Sequence, residues 1–168
     1  MRIFAPARFL DQSTQPHIAT LIALASISAL AMNIFLPSLP SMAAYYNTTP
    51  SIMSLSVAIY LGASALLQLF SGPISDRIGR RPVILISLIL FIIASLATIW
   101  APNAETFLAL RFVQAFAATT MVLSRAVVRD TVDKEAAASK IAYVTMGMAV
   151  APMMGPGIGG YLDKYFGW

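Results

Sequence analysis

The stretch SGPISDRIGRRPVILIS, residues Ser71 to Ser87, concentrates four charged side chains at positions 76–81, between two long apolar runs. Charge is scarce elsewhere, because only 11% of the 168 residues are charged and 58% are hydrophobic. A soluble domain carries about 25% charged residues. A soluble fold of this size could not bury so much apolar surface, because small domains leave much of their surface in water. The composition therefore predicts a membrane protein in which this stretch joins two membrane-spanning helices.

Five apolar runs are long enough to cross a bilayer, since about 20 apolar residues span a hydrocarbon core of about 30 Å. The prolines of PSLP are expected to close the first run. We therefore predict an all-α membrane protein, preceded by a cytoplasmic tail at residues 1–16. The predicted spans cover roughly residues 17–36, 51–74, 82–100, 105–128 and 140–162.

The basic residues set the expected orientation, because the cytoplasmic ends of membrane helices are enriched in Lys and Arg. Short connections make consecutive spans antiparallel, and nine of the eleven Lys and Arg residues then fall on the side of the N-terminus. Lys164 lies on the opposite side, and Arg111 lies inside the fourth span. We therefore expect a cytoplasmic N-terminus.

Composition also argues against several classes of protein. The chain has no Cys and a single His, so neither a disulfide framework nor a metal centre is expected. No nucleophile and base are placed to act together, so we expect no enzyme activity and no cofactor. The net charge of +4 comes from residues at span ends, so it does not indicate a nucleic-acid partner.

The charged stretch has an interpretation beyond orientation, although orientation alone remains the alternative. Asp76 adds nothing to a positive bias, and Gly72 and Gly79 permit close backbone approach and φ > 0 in a short turn. The spacing G-x-x-x-D-R-x-G-R-R resembles the signature between the second and third helices of the major facilitator superfamily. The residues that carry it here are Gly72, Asp76, Arg77, Gly79, Arg80 and Arg81.

That resemblance implies a cytoplasmic latch for one state of an alternating-access cycle. In the family, the acidic residue and one arginine form a network with an acidic residue at the end of the fourth helix. The matching positions here are Asp76, Arg80 and Asp130. Partly buried charges need partners, and a pair that forms in only one state biases a two-state equilibrium.

The fourth span contains a charged residue, Arg111, about 9 Å from its outer end at 1.5 Å per residue. The side chain could reach back to the outer surface, or it could face an internal aqueous cavity together with Gln114, which shares its helix face. The segment resembles the proton-antiporter signature R-x-x-Q-G of the superfamily's fourth helix, with Ala115 in place of the glycine. The resemblance implies a role for Arg111 in proton coupling.

The fifth span carries small residues at every fourth position. Such a stripe lets two helices approach closely in lipid, and ordinary helix packing is the alternative to any further role. The prolines in this span are expected to bend or loosen the helix. The segment GPGIGG resembles G-P-x-x-G-G, the antiporter signature of the superfamily's fifth helix. The stripe, the prolines and the signature together comprise Gly147, Ala151, Pro152, Gly155, Pro156, Gly159 and Gly160.

Two further segments, MNIFLPSLPSMA (Met32–Ala43) and MVLSRAVVRD (Met121–Asp130), resemble the bicyclomycin and chloramphenicol resistance (Bcr/CflA-type) exporters of this superfamily. The acidic residue of their first helix aligns with Asn33, which cannot carry a proton. Asn33 could contact substrate or hydrogen-bond a neighbouring helix. All seven acidic residues fall in connections or at span ends, so a buried acid for proton coupling is missing from this segment. Either that acid lies in the missing part, or an acid at a span end serves, or the transporter is not coupled to protons.

The resemblance implies a secondary transporter that exports small amphipathic compounds or drugs by proton antiport, using a proton gradient. The chain would supply five helices of the N-terminal six-helix half, with Arg111, Gln114 and Asn33 facing the central cavity. The expected location is a bacterial-type inner membrane, and the expected partners are lipid, a drug-like substrate, protons and the missing C-terminal half. The alternatives are a truncated, non-transporting product and a helix-packing scaffold.

Overall fold

The computed structural model describes residues 16–131 and 134–167, with the backbone alone at 134–136. The predicted cytoplasmic tail therefore lies outside the described residues, apart from Pro16. All regular structure in the described part is helical. The helices are α1 (Ile18–Asn33), a 3₁₀ turn (Leu36–Ser38), α2 (Leu39–Tyr45), α3 (Pro50–Ile78), α4 (Arg80–Thr98), α5 (Ala104–Gln114), α6 (Ala117–Thr131) and α7 (Lys134–Phe166).

The five predicted spans are confirmed as five helical segments that are long and apolar enough to cross a membrane. Helices satisfy their own backbone hydrogen bonds, which lipid cannot do. Most segments extend beyond the predicted apolar runs, because helical hydrogen bonding continues into the polar ends. The segments are Ile18–Tyr45, Pro50–Ile78, Arg80–Thr98, Ala104–Thr131 and Ala137–Phe166.

The first span does not end at the PSLP prolines, contrary to the prediction. The chain leaves α-helical geometry after Asn33, forms the 3₁₀ turn and resumes as α2. Pro37 and Pro40 each occupy the first positions of a helical segment. A missing backbone N–H costs no hydrogen bond there, because those positions lack an intrahelical acceptor. The prolines therefore interrupt the span without closing it.

The charged stretch is a one-residue break between two helices and not a loop. Gly79 alone separates α3 from α4, with φ 94° and ψ 153°, and its N–H donates to the carbonyl oxygen of Ser75 at 3.0 Å. The predicted need for φ > 0 is thus confirmed at Gly79. The same prediction is wrong for Gly72, which lies inside α3 with open space where a side chain would begin.

These two glycines make a matched pair of substitutions. Gly79→Ala is expected to lower the free energy of unfolding by about 1–3 kcal/mol, because this backbone region is essentially restricted to glycine. Gly72→Ala is expected to be neutral or to stabilise by up to about 1 kcal/mol, since alanine favours a helix interior. Melting temperatures of the purified protein in detergent check both. Equal shifts for the two variants would contradict the assignment of the break to Gly79.

The small-residue stripe of α7 makes the close helix approach that its spacing predicts, and the structure gives α1 as its partner. A methyl group added at Gly147 would overlap Ile22, and one added at Gly155 would lie 3.4 Å from the Cβ of Asn33. At Gly159 it would overlap the carbonyl oxygen of Ile34. The helix continues without interruption past Pro152 and Pro156. The stripe therefore holds the first and fifth spans together within this bundle.

The fourth span, made of α5 and α6, is the centre of the bundle. Half of its apolar window is buried, against 17–28% for the other spans. One core cluster joins α1, α6 and α7 through Leu21, Ala25, Val128, Ala137 and Val144. Many large apolar side chains on α3, α4 and α7 remain exposed, as a surface that faces lipid requires. Several polar side chains of this span are accordingly buried: Arg111, Gln114, Thr119, Thr120 and Ser124.

Candidate functional site

Arg111 lies in α5, a helix that begins where the side chain of Asn103 accepts a hydrogen bond from the backbone N–H of Thr106 at 2.8 Å. Only 3% of Arg111 is exposed. The side chain therefore does not reach back to the outer surface. It points into the bundle, where burying a charge is costly unless other groups solvate it.

A short hydrogen-bond network surrounds this guanidinium group. Arg111 Nη1 donates to Gln114 Oε1 at 2.7 Å and to the backbone carbonyl of Ala31 at 3.1 Å. Gln114 Nε2 in turn donates to Ser95 Oγ at 3.2 Å and to Thr98 Oγ1 at 3.1 Å. The network thus connects the first, third and fourth spans. The predicted pairing of Arg111 with Gln114 on one helix face is confirmed.

Two aromatic rings lie against the same guanidinium group. The Cζ atom of Arg111 is 3.9 Å from the ring centroid of Phe35 and 4.8 Å from that of Tyr60. Each such contact is worth about 0.5–2 kcal/mol, depending on how far the cation is desolvated. Tyr60 is itself fixed, because its hydroxyl donates to the backbone carbonyl of Ser28 at 3.1 Å. The rings therefore offset part of the cost of burying the charge.

Sequence reasoning missed the four side chains that complete this site: Phe35, Tyr60, Ser95 and Thr98. A signal for two of them exists in the sequence. Ser95 and Thr98 are polar residues three positions apart in a helix whose apolar run contains only one other polar residue, Ser87, and this spacing places them on one face. No comparable pattern marks Phe35 and Tyr60, because aromatic residues are common on every face of membrane helices.

Asn33 does not join this group, so its predicted place in the cavity wall is corrected. Asn33 Nδ2 donates to the carbonyl oxygen of Ala29, one turn earlier in α1, at 2.7 Å. Its Cβ lies against Gly155 of α7. Asn33 is the last residue of α1, and the helix interruption that follows leaves its side chain folded back on its own helix.

A cavity of about 680 Å³ lies beside Arg111 and Gln114. Ligand cavities in proteins typically measure about 300–1,000 Å³. Asp163 is the one carboxylate that lines it among the described residues, and it accepts a hydrogen bond from Ser41 Oγ at 3.0 Å. The rest of the wall is mostly apolar, including Ile34, Phe35, Met42, Phe91, Ile99 and Phe107. The cavity therefore combines an apolar body with a buried cation.

A second polar cluster joins the ends of three helices on the opposite side of the bundle. Arg80 Nη2 lies 2.6 Å from Asp76 Oδ1, and Arg80 Nε lies 3.0 Å from Asp130 Oδ2. Arg80 Nη1 also donates to Ser75 Oγ. The predicted meeting of Asp76, Arg80 and Asp130 is confirmed. The side chain of Arg80 is 21% exposed, so these pairs are partly shielded from water.

The other two arginines of the charged stretch lie outside this cluster. Arg77 and Arg81 are exposed, and no ion pair joins either of them to a carboxylate in the described part of the chain. Their positions suit the orienting role of basic residues at a cytoplasmic membrane surface. The ion pairs of this cluster thus rest on one arginine of the three.

Five apolar spans around a buried, charged site define a multi-pass membrane protein. The sequence model described as Major Facilitator Superfamily matches residues 21–168. That match covers most of the chain, and the chain belongs to this superfamily, whose members are transporters rather than enzymes.

Curated relatives agree with this assignment. The chain is 36% identical over 145 residues to a "Chloramphenicol resistance protein" of Pseudomonas aeruginosa, covering 84% of this chain and 34% of the relative. It is 33% identical to a "Bicyclomycin resistance protein homolog" of Haemophilus influenzae, covering 94% and 40% of the two chains. It is 35% identical to an "Uncharacterized transporter" of Rickettsia bellii, covering 88% and 37%. The chain thus spans well under half the length of these relatives.

Proposed function

We propose that this chain is the N-terminal part of a secondary transporter that exports small amphipathic compounds, drugs among them, by proton antiport with alternating access. The observation that carries the proposal is the buried pair of Arg111 and Gln114 beside an apolar cavity. The names of the relatives support the class of substrate. The transporter would lie in a bacterial cytoplasmic membrane with its N-terminus inside.

The cavity supplies what recognition of amphipathic compounds requires. Its apolar wall accepts a hydrophobic body, and the polar groups on the third and fourth spans fix the orientation of a polar end. Helices of the remaining part of the longer chain would close the opposite side, since transporters of this kind bind substrate between two repeats. No cofactor beyond the proton gradient enters this proposal.

The acid that carries the proton is assigned to another part of the longer chain or to a carboxylate at a span end. Among the described residues, Asp76, Glu105 and Asp130 lie at helix ends. Asp163 lies in the last turn of α7 and is the acidic residue closest to the cavity, whose wall it helps to form. Proton coupling is therefore the part of the proposal that depends most on residues beyond this bundle.

The cluster of Asp76, Arg80 and Asp130 would act as a cytoplasmic latch. It holds the ends of α3, α4 and α6 together and would break when those ends separate. Partly exposed pairs contribute little to overall stability, about 0–1 kcal/mol. A pair made in only one of two states still shifts their populations by its full differential free energy.

Arg80→Gln is expected to lower transport severalfold while leaving the amount of protein in the membrane unchanged. The two carboxylates would lose their shared cation, and the latched state would lose its differential stabilisation. Arg81→Gln removes the same charge one position later and keeps both ion pairs, so it is expected to retain most of the activity. Equal losses in the two variants would mean that net charge at this surface matters and that the latch does not.

Drug susceptibility tests the transport function in cells. The complete protein is expressed in a bacterium that lacks its own major exporters, and the inhibitory concentration of chloramphenicol is measured with and without a protonophore. We expect expression to raise the inhibitory concentration several times over. The protonophore should remove most of this increase, because it collapses the proton gradient. Unchanged susceptibility at normal membrane levels would argue for the non-transporting alternatives.

A further inference from the structure

The guanidinium group of Arg111 is only partly hydrogen-bonded. Nε and Nη2 are buried and have no hydrogen-bond partner in the described part of the chain, while Nη1 makes both of the bonds described above. Leaving a buried donor unpaired is costly, and more so for a charged group. The rings of Phe35 and Tyr60 attract the positive charge, but they do not supply acceptors in line with these two N–H groups.

The charge of Arg111 is also uncompensated. No ion pair between described residues includes Arg111. Its neighbours are the neutral side chains of Gln114, Phe35 and Tyr60. A buried cation is costly when nothing of opposite charge approaches it. The Nε and Nη2 groups of Arg111 therefore lack an acceptor, and no ion pair joins Arg111 to Asp163, the one described carboxylate in the cavity wall.

The two unpaired nitrogens are adjacent on one edge of the guanidinium plane. That edge binds a carboxylate through two parallel hydrogen bonds, which is the strongest pairing available to arginine. Arg111 also lines the apolar cavity of about 680 Å³. An anionic group with an apolar body attached to it matches both features.

We propose that Arg111 is the anion-binding residue of this cavity and that it takes a carboxylate or similar anionic group on Nε and Nη2. The group could belong to a transported substrate or to an acidic side chain from another part of the longer chain. The inference rests on the proposed transport function for its place in a cycle. It is tested by binding and stability alone. The anion site can therefore be disproved while the transport function is upheld, and the transport function can be disproved while the anion site is upheld.

Two probes of the same shape and different charge test the binding. The complete protein is purified into lipid nanodiscs, and the affinities for 1-naphthoate and 1-naphthamide are measured at pH 7. If the group belongs to the substrate, naphthoate is expected to bind roughly tenfold to a hundredfold more tightly, as charge-assisted hydrogen bonds imply. Arg111→Gln should abolish this preference. Arg129→Gln, which removes the same charge at an exposed end of the span, should leave it unchanged.

Melting temperatures without ligand distinguish the two sources of the anion. If substrate supplies it, Arg111→Gln removes an unpaired buried charge and should not lower the melting temperature. If the chain supplies it, the wild type should show no naphthoate preference, and Arg111→Gln should lower the melting temperature by stranding a buried acid. Arg111→Lys should then restore most of the stability, because it restores the charge.

Two outcomes in the Arg111→Gln variant would overturn the proposal. One is a naphthoate preference that persists in Arg111→Gln, which would place the anion elsewhere. The other is an absence of preference in the wild type combined with an unchanged melting temperature in Arg111→Gln, which would leave Arg111 without any anionic partner.

If Arg111→Gln does not fold, Arg111→Lys decides instead. A lysine keeps the charge and loses the two-pronged geometry, so a preference of undiminished size in this variant would equally contradict the proposal.

Discussion

Replacing Arg111 with glutamine is expected to lower the initial rate of transport by the complete protein roughly tenfold to a hundredfold, the loss that follows when charge-assisted hydrogen bonds are removed. Glutamine keeps polarity and some hydrogen-bonding capacity but has no charge to present to the cavity. Gln114 would lose its 2.7 Å charge-assisted bond as well, while its own bonds to Ser95 and Thr98 of the third span do not involve Arg111. Arg111→Lys is expected to retain intermediate activity, because a point charge does not replace the planar fork.

The neighbouring residue offers a control for this prediction. Phe112 is 49% exposed on the outer surface of the bundle, and Phe112→Leu alters a large side chain one position along the same helix. It should leave transport near the wild-type rate. Transport by Arg111→Gln at the wild-type rate, with normal amounts of folded protein in the membrane, would remove Arg111 from the mechanism.

Gly159→Ala is expected to destabilise the bundle by about 3 kcal/mol or more, at or above the upper end of the usual cost of overpacking. The added methyl group would overlap the carbonyl oxygen of Ile34 and lie 2.8 Å from its carbonyl carbon. These are backbone atoms, so no side chain can rotate to make room. Helix α7 would have to move away from α1, and the rest of the stripe would separate with it.

Gly157 provides the matched control two residues earlier in the same helix. Apart from the nearby backbone of its own helix, no atom lies within 4 Å of the position where its Cβ would be. Gly157→Ala should therefore leave the melting temperature unchanged or raise it, because alanine is the better helix former by about 1 kcal/mol. A thermal unfolding series on the purified protein compares the two variants. If Gly159→Ala and Gly157→Ala have the same melting temperature, the close contact between α7 and the end of α1 is contradicted.

The spans and the polar pairs within one helix were predictable from sequence. Run length and hydrophobicity identified the five spans, since both depend on the chain alone. The pairing of Arg111 with Gln114 followed from their separation of three residues on a helix. The meeting of Asp76, Arg80 and Asp130 came from resemblance to a family, because nothing local relates residues that are 50 positions apart.

The contacts between spans were not predictable, since they depend on how each helix is rotated against its neighbours. Asn33 illustrates this. Its place in the sequence suggests the cavity, but the interruption after α1 leaves the residue at a helix end that faces α7. The same interruption puts Phe35 against Arg111. Because a short non-helical segment re-aims every side chain near it, helical periodicity could not place either residue.

The most direct test of the central claim is proton-driven transport by the purified complete protein in proteoliposomes. Chloramphenicol movement and internal pH are followed together after a pH gradient is imposed, for the wild type and for Arg111→Gln. We predict drug movement coupled to proton movement in the opposite direction for the wild type, and loss of drug movement in the variant. The account is contradicted if the wild-type protein moves no drug when the pH gradient is imposed. It is contradicted equally if the Arg111→Gln variant moves the drug as fast as the wild type.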